Sequence, residues 1–397
     1  MTLPVLTEWR TEVANLEVEL ARFLRDRCRD YVSIDKDPFD PTGRWRLTPG
    51  NWIGSVPLPG GEVLRIQPKM QVPSLLRLLD LAYGFTSLRF HPDLSNCDSI
   101  EDWFDRLVQH LTHRIQVRVR RGLHRAYIHR RERMSRVRGR LVVRAMIGRP
   151  HDPSLVCDHH EHTADIDDNR ILAWTMHCAA RCPACAPQTR QRAQALVRAL
   201  TRTVQLTPCS AADCRGRTYD RLTQDYAPLH ALCRLILDCI SPTWEAGDAT
   251  SLPFTLNMAA LFEEAVARWL DRHLDQQRYR VVAQDGFTLG QATHIGMVAD
   301  IVIYDRATGS PVVVLDTKYK AVQQPSNVDI NQVVTYGAVL RAPQVVLVYP
   351  QPPSVSTDTM IGSPAIRVRS LTFSVDVDPD EAGGQLLASL GMQEHQR

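Results

Sequence analysis

The period of apolar and polar positions changes along this chain, and each change predicts an element. Residues 10–30 set Val13, Leu16, Val18, Leu20, Phe23 and Leu24 among charges, the spacing of an amphipathic helix. From about 31 to 75 the pattern shortens to strand-like runs between Gly and Pro turns, among them Trp52-Ile53-Gly54 and Leu64 through Lys69. Helical spacing returns at 74–84 and 99–121, and residues 136–147 alternate as a strand does. Residues 168–205 read as one or two helices broken near Pro183 and Pro187, and 224–240 as another. Ser241–Pro253 has the Pro, Gly and small polar residues of a linker or long loop. A compact α-β-β-α-β pattern follows: a helix at 257–275, strands at 296–304 and 311–319 around a turn at 305–310, a helix at 327–340 and a buried strand at 344–349. The last 30 residues hold one more strand and a polar tail. This divides the chain into an α+β region over 1–245, β-rich at 31–75 and helical at 168–240, and an α/β domain over 246–397.

Composition narrows the class. The chain has 397 residues, of which 44% are hydrophobic, which suits a globular protein with real cores. No run approaches the roughly 18 apolar residues of a membrane span. The N-terminus lacks the continuous apolar stretch of a signal peptide, so a cytoplasmic protein with mostly reduced cysteines is expected. The net charge of +3 is uninformative, but its distribution is not. Residues 113–149 carry thirteen Arg against one acid, Glu132. Such a segment serves a phosphate surface, an acidic partner or its own chain's acids. Arg118, Arg120, Arg121, Arg125, Arg138 and Arg140 are its candidate contacts, for DNA or for a partner. Only four lysines occur, Lys36, Lys69, Lys318 and Lys320, and two of them share the pentapeptide Asp316-Thr317-Lys318-Tyr319-Lys320. A chain that otherwise uses Arg keeps Lys where a compact, mobile point charge is needed.

The hairpin arithmetic adds chemistry. If the turn centres at residue 307 or 308, Asp300 lies opposite residue 315 or 316. Asp316 and Lys318 are two apart and share a face of their strand. Two carboxylates and an ammonium then converge at one sheet edge. Paired carboxylates repel unless a cation sits between them, and hard oxygen ligands select Mg²⁺, with Mn²⁺ as a substitute. Asp300, Asp316 and the Thr317 carbonyl are candidate ligands, with Glu263 or Glu264 from the preceding helix as a further carboxylate. Lys318 would deprotonate an attacking water, orient it, or neutralise transition-state charge. Gln332 and Tyr336, one helical turn apart, would support the site, and Lys320 adds a candidate DNA contact.

These residues resemble the PD-(D/E)xK nuclease superfamily, and Gln332-Val-Val-Thr-Tyr336 resembles the element of its RecB-type branch. More narrowly, the chain resembles the McrC family, the nuclease subunits of McrBC modified-DNA restriction systems. The matching stretches include Leu261-Phe262-Glu263, Ala299-Asp300-Ile301-Val302, Leu315 through Lys320, Asp329 through Gln332, and Val348-Tyr349-Pro350. Upstream, Ile66-Gln-Pro-Lys69, Arg121 through Tyr127, Val137 through Arg140, and Asp165 through Arg170 also match. Ala299 stands where the superfamily expects Pro, a position that ligates nothing. The resemblance implies an α+β arm followed by an endonuclease-like domain with a mixed central sheet flanked by helices. It also implies Mg²⁺-dependent cleavage of double-stranded, modified DNA and an McrB-like AAA+ GTPase ring whose hydrolysis the arm stimulates. The chain has no Gly-x-x-x-x-Gly-Lys-Ser/Thr loop, so GTP would enter only through that partner. Two alternatives stay open: an assembly and GTPase-stimulating subunit with a vestigial nuclease, and a stand-alone RecB-type nuclease.

Other clusters are weaker. Cys178, Cys182 and Cys185, with Cys209 and Cys214 beyond them, have a spacing that zinc or iron–sulfur sites use, but small buried thiols in a helical region account for it more simply. His159, His160 and His162 read as a polar loop. Asp165 to Asn169 reads as a helix N-terminus, where acids complement the dipole.

Overall fold

The computed structural model describes residues 3–36, 43–84, 97, 99–145, 154–240, 252–289 and 295–392. The chain begins with strands β1 (Leu6–Thr7) and β2 (Glu12–Ala14), helix α1 (Val18–Arg27), and strands β3 (Val32–Lys36), β4 (Trp45–Pro49), β5 (Trp52–Pro57) and β6 (Val63–Gln67). Helix α2 (Val72–Tyr83) closes this part. Helix α3 (Ile100–Arg121), strands β7 (Ala126–Met134), β8 (Arg140–Leu141) and β9 (Leu155–Thr163), and helices α4 (Asp167–Ala179), α5 (Pro187–Leu200) and α6 (Tyr226–Cys239) come next. Strand β10 (Phe254–Asn257), helix α7 (Met258–His273), strands β11 (Tyr279–Leu289), β12 (Ile295–Asp305) and β13 (Pro311–Thr317), and helix α8 (Asn327–Leu340) follow. Strands β14 (Gln344–Tyr349), β15 (Asp358–Ile361) and β16 (Ile366–Thr372) and helix α9 (Pro379–Leu390) complete the chain.

Packing groups these elements differently from a cut near residue 245. One unit joins residues 1–100 with 255–397, and the other is Glu101–Phe254. The reason is local. Strand β10 completes a four-stranded sheet in the order β1-β6-β5-β10, and α2 packs against α7. The N-terminal strands therefore belong with the C-terminal half. Of the linker expected at 241–253, residues 241–251 lie outside the described residues.

The first unit holds a six-stranded mixed sheet, β11-β12-β13-β14-β16-β15. Its first three strands are antiparallel, while β13, β14 and β16 run parallel. Helix α8 makes the crossover from β13 to β14 that parallel neighbours require. Strand β14 reads Gln-Val-Val-Leu-Val-Tyr and is buried after its first residue, as a covered parallel strand should be. Val302, Val314, Val333, Val345 and Leu347 form the core between sheet and helix. Gly337 lets α8 approach this closely, because a Cβ there would meet Val345 Cγ1 at 2.5 Å. Helix ends are capped from the sequence: Asn257 accepts from the Ala259 and Ala260 amides, and Ser326 from that of Asp329.

Several expectations need correction. The helix expected over 10–30 begins only at Val18, because Glu12–Ala14 pairs with β4. Residues 136–147 hold only the two-residue β8 and a short 3₁₀ turn at Val143–Ala145, with 146–147 outside the described residues. The histidine run is no loop: it lies in β9, where His160 pairs with His129 and His162 stacks on Tyr127. Strand β11 was not anticipated, nor was the terminal helix α9, which Asp378 caps.

Candidate active site

The β12–β13 hairpin sets the site. Asp305 Oδ1 accepts from the amides of Ala307 and Thr308, at 2.9 Å each, and so holds the turn. Pairing resumes after a bulge at Ile303/Tyr304, and Ile301 stands opposite Leu315. One further step brings Asp300 level with Asp316. Asp300 Oδ2 accepts from the Thr317 amide at 2.7 Å and from Thr317 Oγ1 at 2.9 Å. Asp316 is 1% exposed, and neither of its oxygens has a well-formed hydrogen bond among the described residues. Its Oδ2 lies 2.6 Å from Lys318 Nζ in an ion pair.

Helix α8 supplies the next shell of contacts. Lys318 Nζ donates to Gln332 Oε1 at 3.1 Å, and Gln332 Nε2 donates to the Tyr336 hydroxyl at 2.7 Å. One turn of helix thus carries a relay from Lys318 into the core. Helix α7 brings Glu263, which accepts a hydrogen bond from Gln284 of β11. Glu263 also feels Asp300 and Asp316 electrostatically, so it is the acid of the Glu263–Glu264 pair that faces the site.

The electrostatics are those of crowded acids. Burial, then Asp300, pushes the Glu263 carboxyl up to about 7. Burial, again followed by Asp300, pushes Asp316 to about 6, against the pull of Lys318. Burial disfavours the Lys318 ammonium, but Asp316, Asp300 and Asp329 outweigh it and its pKa is raised. Asp300 thus raises both Glu263 and Asp316, and Asp316 is a buried carboxylate without full partners, a setting that suits a cation. Among the described residues no group of three or more His, Cys, Asp or Glu side chains is placed so that it could hold a metal ion. An ion here would take one or two carboxylates and leave positions for water and phosphate, as Mg²⁺ commonly does.

The other candidates lie elsewhere. Lys320 Nζ is engaged by Asp329 at 2.7 Å, which makes it a partner within α8's first turn rather than a free DNA contact. Arg118 pairs with Asp225 at 3.0 Å and lies over the Tyr226 ring at 4.8 Å, so it is an internal brace of its own unit. Arg120, Arg121, Arg125, Arg138 and Arg140 are exposed. Within β9, Asp158 draws Arg131 to 2.7 Å, so part of the basic surface is met by acids of its own chain. Cys178, Cys182 and Cys185 are buried, and burial pushes Cys178 up to about 12. A hydrogen bond with Cys182, together with burial, raises Cys185 as well.

One buried group was missed in the sequence. Glu8 is 2% exposed and accepts from the Tyr319 hydroxyl at 3.4 Å, while Lys69 Nζ lies 4.6 Å over the Tyr319 ring. The signal was present in part: Lys69 is one of four lysines, and Tyr319 follows Lys318 directly.

With this geometry in place, the comparisons decide the family. Residues 47–350 match the family described as McrBC 5-methylcytosine restriction system component. The chain belongs to the McrBC family. Among curated proteins, none matches the chain in sequence. Among solved structures, a chain of the refined half-complex from the tetradecameric assembly of Thermococcus gammatolerans McrB AAA+ hexamers with bound McrC is similar, at a TM-score of 0.52 and 15% identity. That match covers 98% of this chain and 100% of the other, and at such identity it speaks for the fold alone. A chain of the Thermococcus gammatolerans McrBC complex matches at a TM-score of 0.41 and 18% identity, over 68% of this chain and 87% of the other, and carries no argument. The McrBC resemblance drawn from the sequence therefore holds at the level of the family. No described helix is long and apolar enough to cross a membrane.

Proposed function

We propose that this McrBC-family chain is the McrC-type nuclease subunit, which hydrolyses phosphodiesters of modified double-stranded DNA and works with an AAA+ GTPase that it stimulates. The observation that carries this reading is Asp316. It is a buried carboxylate without full hydrogen bonding, level with Asp300 across the hairpin and 2.6 Å from Lys318. An isolated arrangement of this kind destabilises a fold, so a bound cation and a phosphate give it its purpose. The mixed sheet with helices α7 and α8 supports the PD-(D/E)xK assignment.

Asp300 and Asp316, with the Thr317 carbonyl, would hold Mg²⁺, and Glu263 would stand beside them. When bound, the ion supplies Lewis-acid polarisation of phosphate and water. The protein's own groups do the rest. Thr317 fixes Asp300 through two hydrogen bonds, so that carboxylate presents one orientation. Lys318, held between Asp316 and Gln332, works as a placed ammonium that neutralises charge gathering on the phosphoryl oxygens. Tyr336, 6% exposed, anchors Gln332 from the core side. The exposed arginines around β7 and β8 serve DNA or the motor.

The test is cleavage of methylated plasmid by this chain with its cognate GTPase, Mg²⁺ and GTP, comparing wild type with Asp316→Ala. The reading expects the wild type to cut, the variant not to cut, and both to stimulate GTP hydrolysis. If both stimulate and neither cuts across several modified substrates, the chain is an assembly subunit.

A further inference from the structure

Glu263 is the one acid of the site delivered by a helix, and its long side chain needs a reason to stay beside Asp300 and Asp316. The reason lies in strand β11. Its ladder with β12 passes from Ala283↔Ile301 to Asp285↔Ala299 and leaves out the position opposite Asp300, which is Gln284. There the backbone has φ of 52°, in the left-handed region that side-chain-bearing residues rarely enter. In a regular strand Gln284 would alternate with its neighbours. The turned backbone redirects it, and its Nε2 donates to Glu263 Oε1.

Packing does not explain the choice of residue. Gln284 is exposed, on a strand at the sheet's edge. An exposed position of positive φ selects Gly, with Asn next. A strained non-glycine conformation persists where its surroundings over-determine it, and such places concentrate at working sites.

We infer that Gln284 is a positioning residue that clamps the Glu263 carboxylate beside the divalent-cation site of Asp300 and Asp316. A neutral amide suits this task. It donates to an ionised carboxylate, whereas Lys or Arg in its place would cancel the charge that the cation must meet. The inference rests on the nuclease reading above.

The test uses the full chain and Mn²⁺ alone as probe, with binding followed by calorimetry for wild type, Gln284→Gly, Glu263→Gln and Asp316→Asn. Gly keeps the backbone conformation and removes the amide. The expected result is Mn²⁺ binding weakened about tenfold by Gln284→Gly, in the range that loss of a ligand's supporting hydrogen bond produces. The Mg²⁺ concentration for half-maximal cleavage in the presence of the motor should rise in parallel. Cleavage at saturating Mg²⁺ should be restored to within about twofold, and the melting temperature should not fall. Wild-type Mn²⁺ affinity in Gln284→Gly, with weakened affinity in Glu263→Gln, overturns the clamp and leaves the acid site standing. Unchanged affinity in both Glu263→Gln and Asp316→Asn overturns the acid site itself, and the clamp with it.

Discussion

Replacing Asp316 by Asn should stabilise the metal-free protein while destroying its use of metal. The Asp316 carboxyl is raised from 3.8 to about 6, first by burial and then by Asp300, with Lys318 offsetting only part. In the unfolded chain an aspartate titrates near its ordinary value of about 3.9. The folded state therefore holds more protons than the unfolded state between about pH 4 and pH 6. Stability falls as pH rises through that window, and the full penalty is present above it. A gap of about two pH units corresponds to roughly 3 kcal/mol. Lys318 loses its nearest anion in the variant, which removes part of the gain, so a net stabilisation of about 1–2 kcal/mol is expected. For a unit of this size that raises the melting temperature by roughly 2–6 °C. The assay is thermal unfolding of both proteins in EDTA and in excess Mg²⁺, from about pH 4 to pH 8. In EDTA at neutral pH the Asn variant should melt higher, with the difference vanishing toward the acid end. Mg²⁺ should raise the wild type and leave the variant nearly unmoved. A variant that melts below wild type in EDTA, or an equal Mg²⁺ response in both, refutes the reasoning.

Three further outcomes follow from named contacts. Burial pushes Glu8 up to about 7, against the pull of Lys69, so wild-type stability should also fall as pH rises from about 4.5 to 7; Glu8→Gln should flatten that part of the profile, and an unchanged slope counts against it. A Cβ on Gly383 would meet the Trp269 ring at 2.2–2.4 Å, so Gly383→Ala should cost about 1–3 kcal/mol in urea unfolding. Arg118→Ala removes the Asp225 ion pair and the contact over Tyr226, and should cost about 1–2 kcal/mol, whereas exposed Arg138→Ala should lie within about 0.5 kcal/mol of wild type.

The hairpin of the candidate site was readable because two strong local signals agree there. An apolar run ends in Asp-x-Lys, and a turn whose leading Asp accepts its own amides fixes the count between Asp300 and Asp316. Helix α8 was readable to the residue, and Ser326 caps its start. Strand β11 was not, because at the sheet's edge it exposes Arg280, Ala283 and Gln284 and so lacks a clean alternation. With it went Gln284, whose role depends on a backbone angle that no spacing rule encodes. The Glu8–Tyr319 contact spans 311 positions and could not be seen from either end. The units drawn by packing differ from a division near 245 for the same reason: composition marks where a chain loosens, not which distant strand completes a sheet.

The split unit has a consequence for biosynthesis. Residues 1–100 leave the ribosome first, yet the elements that complete their sheet and cover α2 lie beyond Phe254. At cellular rates of about 5–20 residues per second, that leaves roughly ten to thirty seconds with the side of β5 that takes β10 unpaired. Glu101–Phe254, a unit contiguous in sequence, can fold during the wait. During that interval the unpaired edge is open to pairing with other chains. A gene fragment starting near residue 246 would encode the acids of the candidate site while omitting the strands that β10 joins.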